Sequence, residues 1–540
     1  MATKNRKERL SIYLAKNPLA NDNSILKLES SHQPIQLEIG AEQASLYIRK
    51  EPQKPPPPWT KLFTSNDTVP SDAFGYTRAV GAAFIVRYDG QKFVLTFGTG
   101  HHLLNTDFIE RDFGLRVTLN SVDPDKLRSL DKASYDHNPL NSRTQSTKDV
   151  DIFDLAVDAE LDILYAITGA SNIPIFGAQV TGRDALTLFA ETDIEGILDI
   201  LSQALILYRK KLPQKFEWVD NISRIRDKET VEVLDLLLDD ELAKNPCPGI
   251  WLGEPEIVDW ESQIGYSFDL RPNSPRHPVL DIQQLRDYLG KRAQIPKTKV
   301  LKDTWIHVND AEFKASQTWS AYRCLYAEIK DKAHHYILRN ANWYKVDDDF
   351  SKKIDSYIGT INLYSHPLPD YCHDREDDYN EFVSKSDATF TLMDKKTIKV
   401  GGPYDKLEFC DLIKDGSDLI HVKYYRSSNT LSHLFAQGFV SAETFIKDSD
   451  FRALLNPKLP SCIRLSDAKP RPNPSKYKIV YAIATDKKLP EELPFFSKIT
   501  LKNSAKTLRA LDFCVELAAI KIDPAITAKK KYKAKSPPKK

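Results

Sequence analysis

The sequence predicts a multidomain protein of the α/β (α+β) class, with a β-rich N-terminal region, a mixed middle region and a C-terminal α/β core. Alternating apolar and polar residues in LSIYLAK and ASLYIRK, within the first 50 residues, indicate short strands. Residues 185–210 and 229–244 show helical periodicity. Beyond residue 366, apolar runs of strand length alternate with amphipathic segments, which is typical of a sheet covered by helices.

The length of 540 residues is sufficient for several domains with separate cores. We expect an N-terminal β-rich α+β domain over 1–180, a middle α/β region over 181–365, a C-terminal domain over 366–525 and a disordered basic tail over 526–540. The end of this tail, AKKKYKAKSPPKK, carries seven lysines and no acidic residue. Such a segment contacts nucleic acid through non-specific charge only.

Composition excludes some classes of protein. The formal net charge is +1 with 28% charged residues, so any surface for nucleic acid must be local. No apolar stretch approaches the roughly 18 residues that a membrane span requires. Six cysteines lie far apart without a CxxC pair, which is typical of reduced thiols. We therefore expect a cytoplasmic protein without a membrane partner, and the sequence leaves its oligomeric state open.

Local patterns predict several elements before the C-terminal region. FIVRY and KFVLTF are expected to form a β-hairpin that turns at Asp89-Gly90, because this dipeptide favours the positive φ angles of tight hairpin turns. Residues 108–120 are expected to form a helix followed by a turn, and residues 121–150 a polar loop.

A β-rich piece near 320–350 contains the tripeptide Glu328-Ile-Lys330. A strand that ends in Glu-x-Lys is what some metal-dependent nucleases place beside the metal. However, no apolar run with an aspartate precedes it at a suitable distance. We therefore interpret Glu328 and Lys330 first as an exposed strand pair, and keep a catalytic pair as the alternative.

The stretch Leu407–Glu443 carries the most informative pattern. LEFCDLI predicts a strand that contains Asp411, and Asp415-Gly416 predicts the turn to a second strand. On that second strand, His421 and Lys423 share one face, because side chains of a strand repeat every second residue.

A helix is expected to follow from Leu431 to Phe445. His433, Gln437 and Ser441 would form one polar stripe at helical spacing, beside an apolar stripe. Polar side chains near its start would donate hydrogen bonds to a phosphate at the helix N-terminus, or else simply cap the helix. These nucleic-acid-binding candidates are Ser427, Ser428, Asn429, Ser432 and His433.

The order of a helix, three strands and a helix over 376–445 resembles that of PD-(D/E)XK nucleases, the restriction-endonuclease-like fold. The resemblance implies a C-terminal domain that binds or cuts nucleic acid with Mg²⁺, or Mn²⁺ as its substitute. A hairpin that carries Asp394 belongs to the same order. The resemblance implies metal ligands at Glu381 and Asp411, and a catalytic group of Asp411, Lys423, His421 and Gln437.

The chain departs from the nuclease pattern at one position. Two residues before Lys423, where the family has an acidic residue, this sequence has His421. Either Glu381 or Glu408 would have to compensate, and Glu408 is the weaker candidate because a spacing of three places it on the strand face opposite Asp411. The hypotheses are therefore an active nuclease or a binding subunit without catalysis, with a structural scaffold as a third.

Four segments spread along the chain carry a second family resemblance. ERDFGLRVTLN, LEFCDLI, LIHVKYYRSSNTLSHLFAQG and LPFFSKITL together resemble a sporadically distributed bacterial family of uncharacterised proteins of similar length, over residues 8–523. Its members carry a domain of unknown function and occur with mobile elements and defence genes. The resemblance implies a role in anti-phage defence, with nucleic acid (DNA rather than RNA) and other defence-system subunits as partners.

Overall fold

The computed structural model describes most of the chain between residues 7 and 526. The exceptions are residues 51–59, 61–69, 71–78, 135–139, 245–246, 248, 257, 259–262, 272, 291–296, 311–313, 400–405, 426–427 and 462. Apart from Ile526, the predicted tail over 526–540 lies outside the described residues. No helix in the described part has both the length and the apolar character needed to cross a membrane.

The chain forms two compact units and is a multidomain α+β protein, as predicted. The first unit comprises 1–133 with 141–219, and the second comprises 134–140 with 220–540. Residue 180, the predicted end of the N-terminal domain, lies inside a strand of the first unit. The predicted middle region, 181–365, is divided between the units at residue 219, and the predicted C-terminal region lies in the second.

The first unit is built around one ten-stranded sheet of the described residues. Its strands are β1 (Lys7–Leu14), β2 (Ile35–Ile39), β3 (Glu42–Ile48), β4 (Gly81–Tyr88), β5 (Gln91–Gly98), β6 (Val122–Ser134), β7 (Leu140–Val150), β8 (Asp162–Ser171), β9 (Gln179–Gly182) and β10 (Leu186–Glu191). They follow the order β2-β3-β4-β5-β1-β10-β9-β8-β6-β7. The helices are α1 (Asp22–Ile25), α2 (Phe113–Leu119) and α3 (Ile197–Arg209).

The predicted hairpin at Asp89-Gly90 is confirmed. β4 and β5 pair antiparallel, and the two turn residues have φ angles of 48° and 65°, as a two-residue turn of this kind requires. The helix expected within 108–120 is α2, and its buried Phe113 packs in one core cluster with Phe93 and Leu201.

Two predictions for this unit were wrong. Residues 121–150 form the long strands β6 and β7 instead of a loop, because backbone pairing at the sheet edge does not need an apolar pattern. Across this ribbon, the Arg143 guanidinium donates two hydrogen bonds to the Asp131 carboxylate, at 2.7 and 2.8 Å. Residues 185–210 show helical periodicity, but the first of them form β10 and only the later ones form the helix α3. A short apolar run fits the period of a strand as well as that of a helix.

The second unit contains the helices α4 (Lys228–Leu242), α5 (Ile282–Leu289), α6 (Thr298–Asp303), α7 (Asp348–Ile358), α8 (Glu376–Ser386), α9 (Ser428–Lys447), α10 (Ser449–Leu455) and α11 (Phe495–Ala510). The first eight strands of this unit are β11 (Ile222–Arg224), β12 (Ile250–Leu252), β13 (Gly265–Ser267), β14 (Trp305–Asn309), β15 (Ala315–Ser320), β16 (Leu325–Asp331), β17 (His334–Arg339) and β18 (Asn342–Val346). They form a five-stranded sheet, β11-β18-β17-β16-β12, and a three-stranded sheet, β13-β14-β15.

The later strands of this unit are β19 (Asn362–Leu363), β20 (Phe390–Leu392), β21 (Ile398–Lys399), β22 (Lys406–Leu407), β23 (Leu412–Lys414), β24 (Asp418–Tyr424), β25 (Lys478–Ala484) and β26 (Cys514–Ile520). β21 pairs with β22, and the others form a six-stranded sheet in the order β19-β26-β25-β24-β23-β20. β23 is antiparallel to both of its neighbours, β20 and β24, whereas β24, β25, β26 and β19 run parallel. In chain order the core is therefore α8-β20-β23-β24-α9-β25-α11-β26.

The two faces of the six-stranded sheet are covered by different helices. Ile420 and Val422 of β24 pack in one core cluster with Tyr379 and Val383 of α8. On the other face, Tyr481 of β25 donates a hydrogen bond from its hydroxyl to a backbone oxygen of α9, at 3.0 Å. The helices α9 and α11 also pack against each other.

The predicted turn and helix of the Leu407–Glu443 stretch are confirmed. Asp415 and Gly416 have φ angles of 48° and 74° between β23 and β24. The helix α9 extends beyond the expected Leu431–Phe445 range at both ends.

Candidate functional site

Three carboxylates converge at one edge of the six-stranded sheet. Asp394 lies in the turn after β20, Glu408 lies between β22 and β23, and Asp411 directly precedes β23. Each offers one oxygen such that the three oxygens all lie within 4.8 Å of one another, and all three residues are half-buried. We call these residues the acidic cluster.

Main-chain hydrogen bonds fix Asp411 at the centre of this cluster. Its carbonyl oxygen accepts from the backbone N–H groups of Met393 and Asp394, at 2.8 and 2.9 Å. Its own N–H donates to Ile420 at 2.9 Å, and its side-chain Oδ2 accepts from the N–H of Val422 at 2.6 Å. The Asp411 side chain is therefore held by the neighbouring strand before any ligand arrives.

The predicted strand LEFCDLI is interrupted, and this correction brings Glu408 to the site. β22 ends at Leu407 and β23 begins at Leu412, with an irregular segment between them. Within that segment, the consecutive residues Phe409 and Cys410 are both buried, which breaks the alternation of strand faces. Because the alternation does not hold, Glu408 lies beside Asp411 and not on an opposite face.

The electrostatics of the cluster disfavour the simultaneous ionisation of all three carboxylates. Burial, with smaller effects of Asp394 and Glu408, raises the pKa of Asp411 to about 7, against the hydrogen bond from Val422 and the charge of Lys423. Burial and the charge of Asp394 also raise the pKa of Glu408. A divalent cation would relieve this repulsion, and carboxylate oxygens are the ligands that Mg²⁺ and Mn²⁺ prefer.

Lys423, a predicted catalytic residue, forms an ion pair with Glu376 and acts electrostatically on two carboxylates of the cluster. Its Nζ is 2.7 Å from Oε2 of Glu376, the first residue of α8, and the N–H of Tyr424 donates to the other oxygen of this carboxylate at 3.2 Å. The positive charge of Lys423 lowers the pKa of both Asp411 and Glu408, although burial outweighs it in each case.

The helix α8 presents Asn380 to the cluster, while Glu381 lies elsewhere. The Nδ2 of Asn380 donates to Oδ2 of Asp394 at 3.3 Å. Glu381 is an exposed residue that pairs with Lys385 one turn further along the helix. Sequence reasoning chose Glu381 and missed Glu376 and Asn380, although the helical period beside the buried apolar residues of α8 was a signal for that face.

His421, on the face of β24 opposite Val422, is buried in the core outside the acidic cluster. Its ring centroid lies 6.2 Å from that of Tyr481, and burial lowers its pKa to about 4. Its Nε2 has no hydrogen-bond partner in the part of the chain that the structure describes. Gln437, the other predicted catalytic residue of this stretch, is exposed on α9.

The predicted nucleic-acid-binding residues are only partly described. Ser432 is buried, and its Oγ lies 3.5 Å from Oγ1 of Thr500, so it packs between α9 and α11. His433 is exposed on α9. Ser427 lies outside the described residues, and Ser428 and Asn429 are described only as the backbone of the first two residues of α9.

Glu328, the alternative catalytic acid, lies at a different place in the second unit. Its carboxylate accepts a hydrogen bond from the N–H of Phe495, at the start of α11, and burial raises its pKa to about 7. Lys330 is exposed further along β16. Glu328 thus caps a helix in the structure, and it is not a member of the acidic cluster.

The fold and site define a multidomain α+β protein with three carboxylates and a lysine at the edge of a mixed sheet. Residues 10–521 match the family of unknown function DUF6119, and the chain belongs to that family. The predicted membership of a domain-of-unknown-function family is thereby confirmed. No curated protein and no solved structure matches the chain.

Proposed function

We propose that this protein binds nucleic acid and hydrolyses phosphodiester bonds with a divalent metal ion, Mg²⁺ or Mn²⁺, at the acidic cluster. The observation that carries the proposal is the convergence of Asp394, Glu408 and Asp411 at one sheet edge, where the charge of Lys423 acts on Asp411. Carboxylates that hold a metal, with a cation beside them, are the groups that metal-dependent phosphodiester hydrolysis requires.

The order of elements supports a restriction-endonuclease-like core. The sequence α8-β20-β23-β24-α9-β25 is a helix, three antiparallel strands, a helix and a strand parallel to the third, which is the order of PD-(D/E)XK nucleases. Asp411 directly precedes the second strand and Lys423 lies on the third, where that family places its acidic residue and its lysine.

The chemistry follows from the positions of the residues. A metal ion held by the cluster would polarise a phosphate group and lower the pKa of a bound water. Asp411, which the N–H of Val422 orients, contributes a fixed carboxylate oxygen. Lys423 contributes positive charge where negative charge develops on the phosphate, and Glu376 holds its ammonium group in place.

The test is a cleavage assay on plasmid, linear duplex, single-stranded DNA and RNA, with Mg²⁺, Mn²⁺ or EDTA. We expect metal-dependent cleavage that Asp411→Asn and Lys423→Ala each reduce at least about 100-fold, because the first removes a charged metal ligand and the second a positive charge that acts on the phosphate. Lys385→Ala, which removes an exposed lysine of α8, is the matched control and should cleave normally. Full activity in both site variants would remove this assignment.

A second candidate function is a binding subunit without catalysis. The buried His421 favours it, because the position that usually supplies a metal-binding acid here contributes only to the core. Retarded migration of one nucleic acid that is insensitive to EDTA, with no cleavage of any substrate, would support this function over hydrolysis.

The biological context that we propose is anti-phage defence in the bacterial cytoplasm, with DNA preferred over RNA and with other defence subunits as partners. It rests on the resemblance to a family that occurs with mobile elements and defence genes. Expression in a phage-sensitive bacterium should lower the efficiency of plaquing, and Lys423→Ala should abolish this protection. Equal protection by the variant would separate the defence role from the acidic cluster.

A further inference from the structure

Asn380 is a buried polar residue at the acidic cluster that the predicted metal-binding group did not include. It is 2% exposed, and its Nδ2 donates to Oδ2 of Asp394 at 3.3 Å. It lies one turn after Glu376 on α8, so one helix face carries both the partner of Lys423 and a partner of the cluster.

The amide oxygen of Asn380 is unsatisfied. Its Oδ1 is buried and has no hydrogen-bond partner among the residues that the structure describes. A buried acceptor left in this state costs about 1–3 kcal/mol, so proteins seldom keep one without a partner. No donor among the described residues satisfies this oxygen, and a bound cation would do so.

The position of the amide favours a cation. Oδ1 belongs to the same planar amide as the Nδ2 that contacts Asp394, so the amide group lies at the acidic cluster. A half-turn about the Cβ–Cγ bond exchanges the two amide atoms without a change of shape and would direct the oxygen toward Asp394. A neutral carbonyl oxygen adds a ligand without adding to the repulsion among three carboxylates.

We propose that Asn380 is a ligand of the divalent cation at the acidic cluster and binds it through Oδ1; this inference rests on the proposed metal site. The alternative is a structural role, in which the donated hydrogen bond from Nδ2 merely holds Asp394 in place. The two roles predict opposite effects for a carboxylate at this position. A carboxylate binds a cation more tightly than an amide does, but it cannot donate a hydrogen bond to Asp394.

The experiment is isothermal titration calorimetry of the full chain with Mn²⁺, for the wild type and for Asn380→Asp and Asn380→Leu. We expect Asn380→Leu to weaken Mn²⁺ binding by about 10- to 100-fold, as substitutions around metal sites do. We expect Asn380→Asp to bind Mn²⁺ at least as tightly as the wild type. Asn503→Leu makes the same replacement on α11, at the opposite face of the sheet, and should leave the affinity within about twofold.

The outcomes separate this inference from the proposed function. Mn²⁺ binding by the wild type, with weaker binding by both Asn380 variants, would overturn the ligand role in favour of the structural one. Unchanged binding by Asn380→Leu would also overturn it, and both outcomes leave the metal site intact. A wild type that does not bind Mn²⁺ would overturn the proposed function itself. If Asn380→Leu fails to fold, the direction of change in Asn380→Asp decides alone.

Discussion

At the scale of single residues, Asp411 shows how a buried acidic side chain at a candidate site can lower the stability of the folded protein. Its carboxylate is oriented by the N–H of Val422, yet burial and two neighbouring carboxylates raise its pKa to about 7. Without a cation, the folded protein therefore favours the protonated acid more than the unfolded chain does. The ionised form of Asp411 therefore lowers stability near neutral pH, a cost that the proposed metal ion would offset.

The raised pKa of Asp411 predicts how the stability of the metal-free protein, measured in EDTA, depends on pH. The folded pKa lies above the ordinary value of 3.8, so the stability contributed by protonated Asp411 is full below pH 3.8 and is lost as the pH rises through about 7. Asp411→Asn keeps an acceptor for Val422 and cannot ionise. We expect its free energy of unfolding to exceed that of the wild type by on the order of 2–3 kcal/mol at pH 8, and by much less at pH 4.

Thermal unfolding of both proteins between pH 4 and 8 measures this difference, and titrating groups that do not interact with Asp411 cancel because both proteins contain them. Mg²⁺ at pH 8 should raise the melting temperature of the wild type and not that of Asp411→Asn, since only the folded wild type binds the ion. A difference between the two proteins that is the same at pH 4 and pH 8 would contradict the assigned ionisation.

At the scale of elements, the packing of α9 on the sheet depends on Gly438. A Cβ atom at this position would lie 2.5 Å from Cε1 of the buried Tyr481 ring. The ring cannot easily withdraw, because its hydroxyl donates to the backbone oxygen of Phe435 and its centroid lies 5.1 Å from that of Phe435. The glycine thus allows α9 to approach β25 closely.

We expect Gly438→Ala to destabilise the protein by about 1–2 kcal/mol, because overpacking outweighs the gain of about 1 kcal/mol in helix propensity. In a Tyr481→Leu background the obstructing ring is absent, and the same substitution should be neutral or stabilising. Chemical denaturation of the four proteins in this double-mutant cycle measures the coupling. Equal effects of Gly438→Ala in both backgrounds would exclude the proposed clash.

Sequence patterns correctly predicted the elements whose structure is determined by their own local residues. The Asp-Gly turns at 89–90 and 415–416 and the helix α9 are such cases, because positive φ angles and an amphipathic period are encoded locally. The positions of Asp411 and Lys423 were predictable for the same reason, since each lies in or beside a recognisable strand. The choice of Glu381 depended on the rotation of α8, which packing against the sheet determines.

Glu408 and the strands of 121–150 were not predictable in the same way. The break between β22 and β23 depends on the burial of Phe409, whose ring packs against Phe445 of α9 at 4.9 Å. β6 and β7 form because neighbouring strands supply their hydrogen bonds, while their own residues are largely polar. Both features are tertiary, and a local period does not contain them.

At the scale of the whole molecule, the second unit is held together where α11 begins. Glu328 of the five-stranded sheet accepts from the N–H of Phe495, whose ring lies 5.1 Å from that of His335 and 5.7 Å from that of Phe350. One turn later, the buried Lys498 pairs with Asp355 of α7 at 2.7 Å. Helix α11 thus covers the candidate nuclease-like sheet, and Glu328 of the five-stranded sheet caps its N-terminus.

This junction predicts a second stability effect that is independent of the acidic cluster. Burial raises the pKa of Glu328 from 4.5 to about 7, so the stability from its protonated form is full below pH 4.5 and is lost as the pH rises through about 7. Glu328→Gln still accepts the hydrogen bond from Phe495 and never ionises. We expect this variant to be more stable than the wild type at pH 8 by on the order of 2–3 kcal/mol, and nearly equal at pH 4.

The measurement is thermal unfolding in EDTA between pH 4 and pH 8, with Glu491→Gln as the control. The Glu491 carboxylate is exposed, and within the described chain its ion pair is with Lys488, at 3.5 Å. The control should follow the wild type at every pH. Glu328→Gln should leave Mn²⁺ affinity unchanged, since its site and the acidic cluster share no residue. If instead Glu328→Gln destabilised the protein at pH 8, the ionised carboxylate would be the form that caps α11, and the charge at this junction would stabilise the helix N-terminus rather than oppose folding.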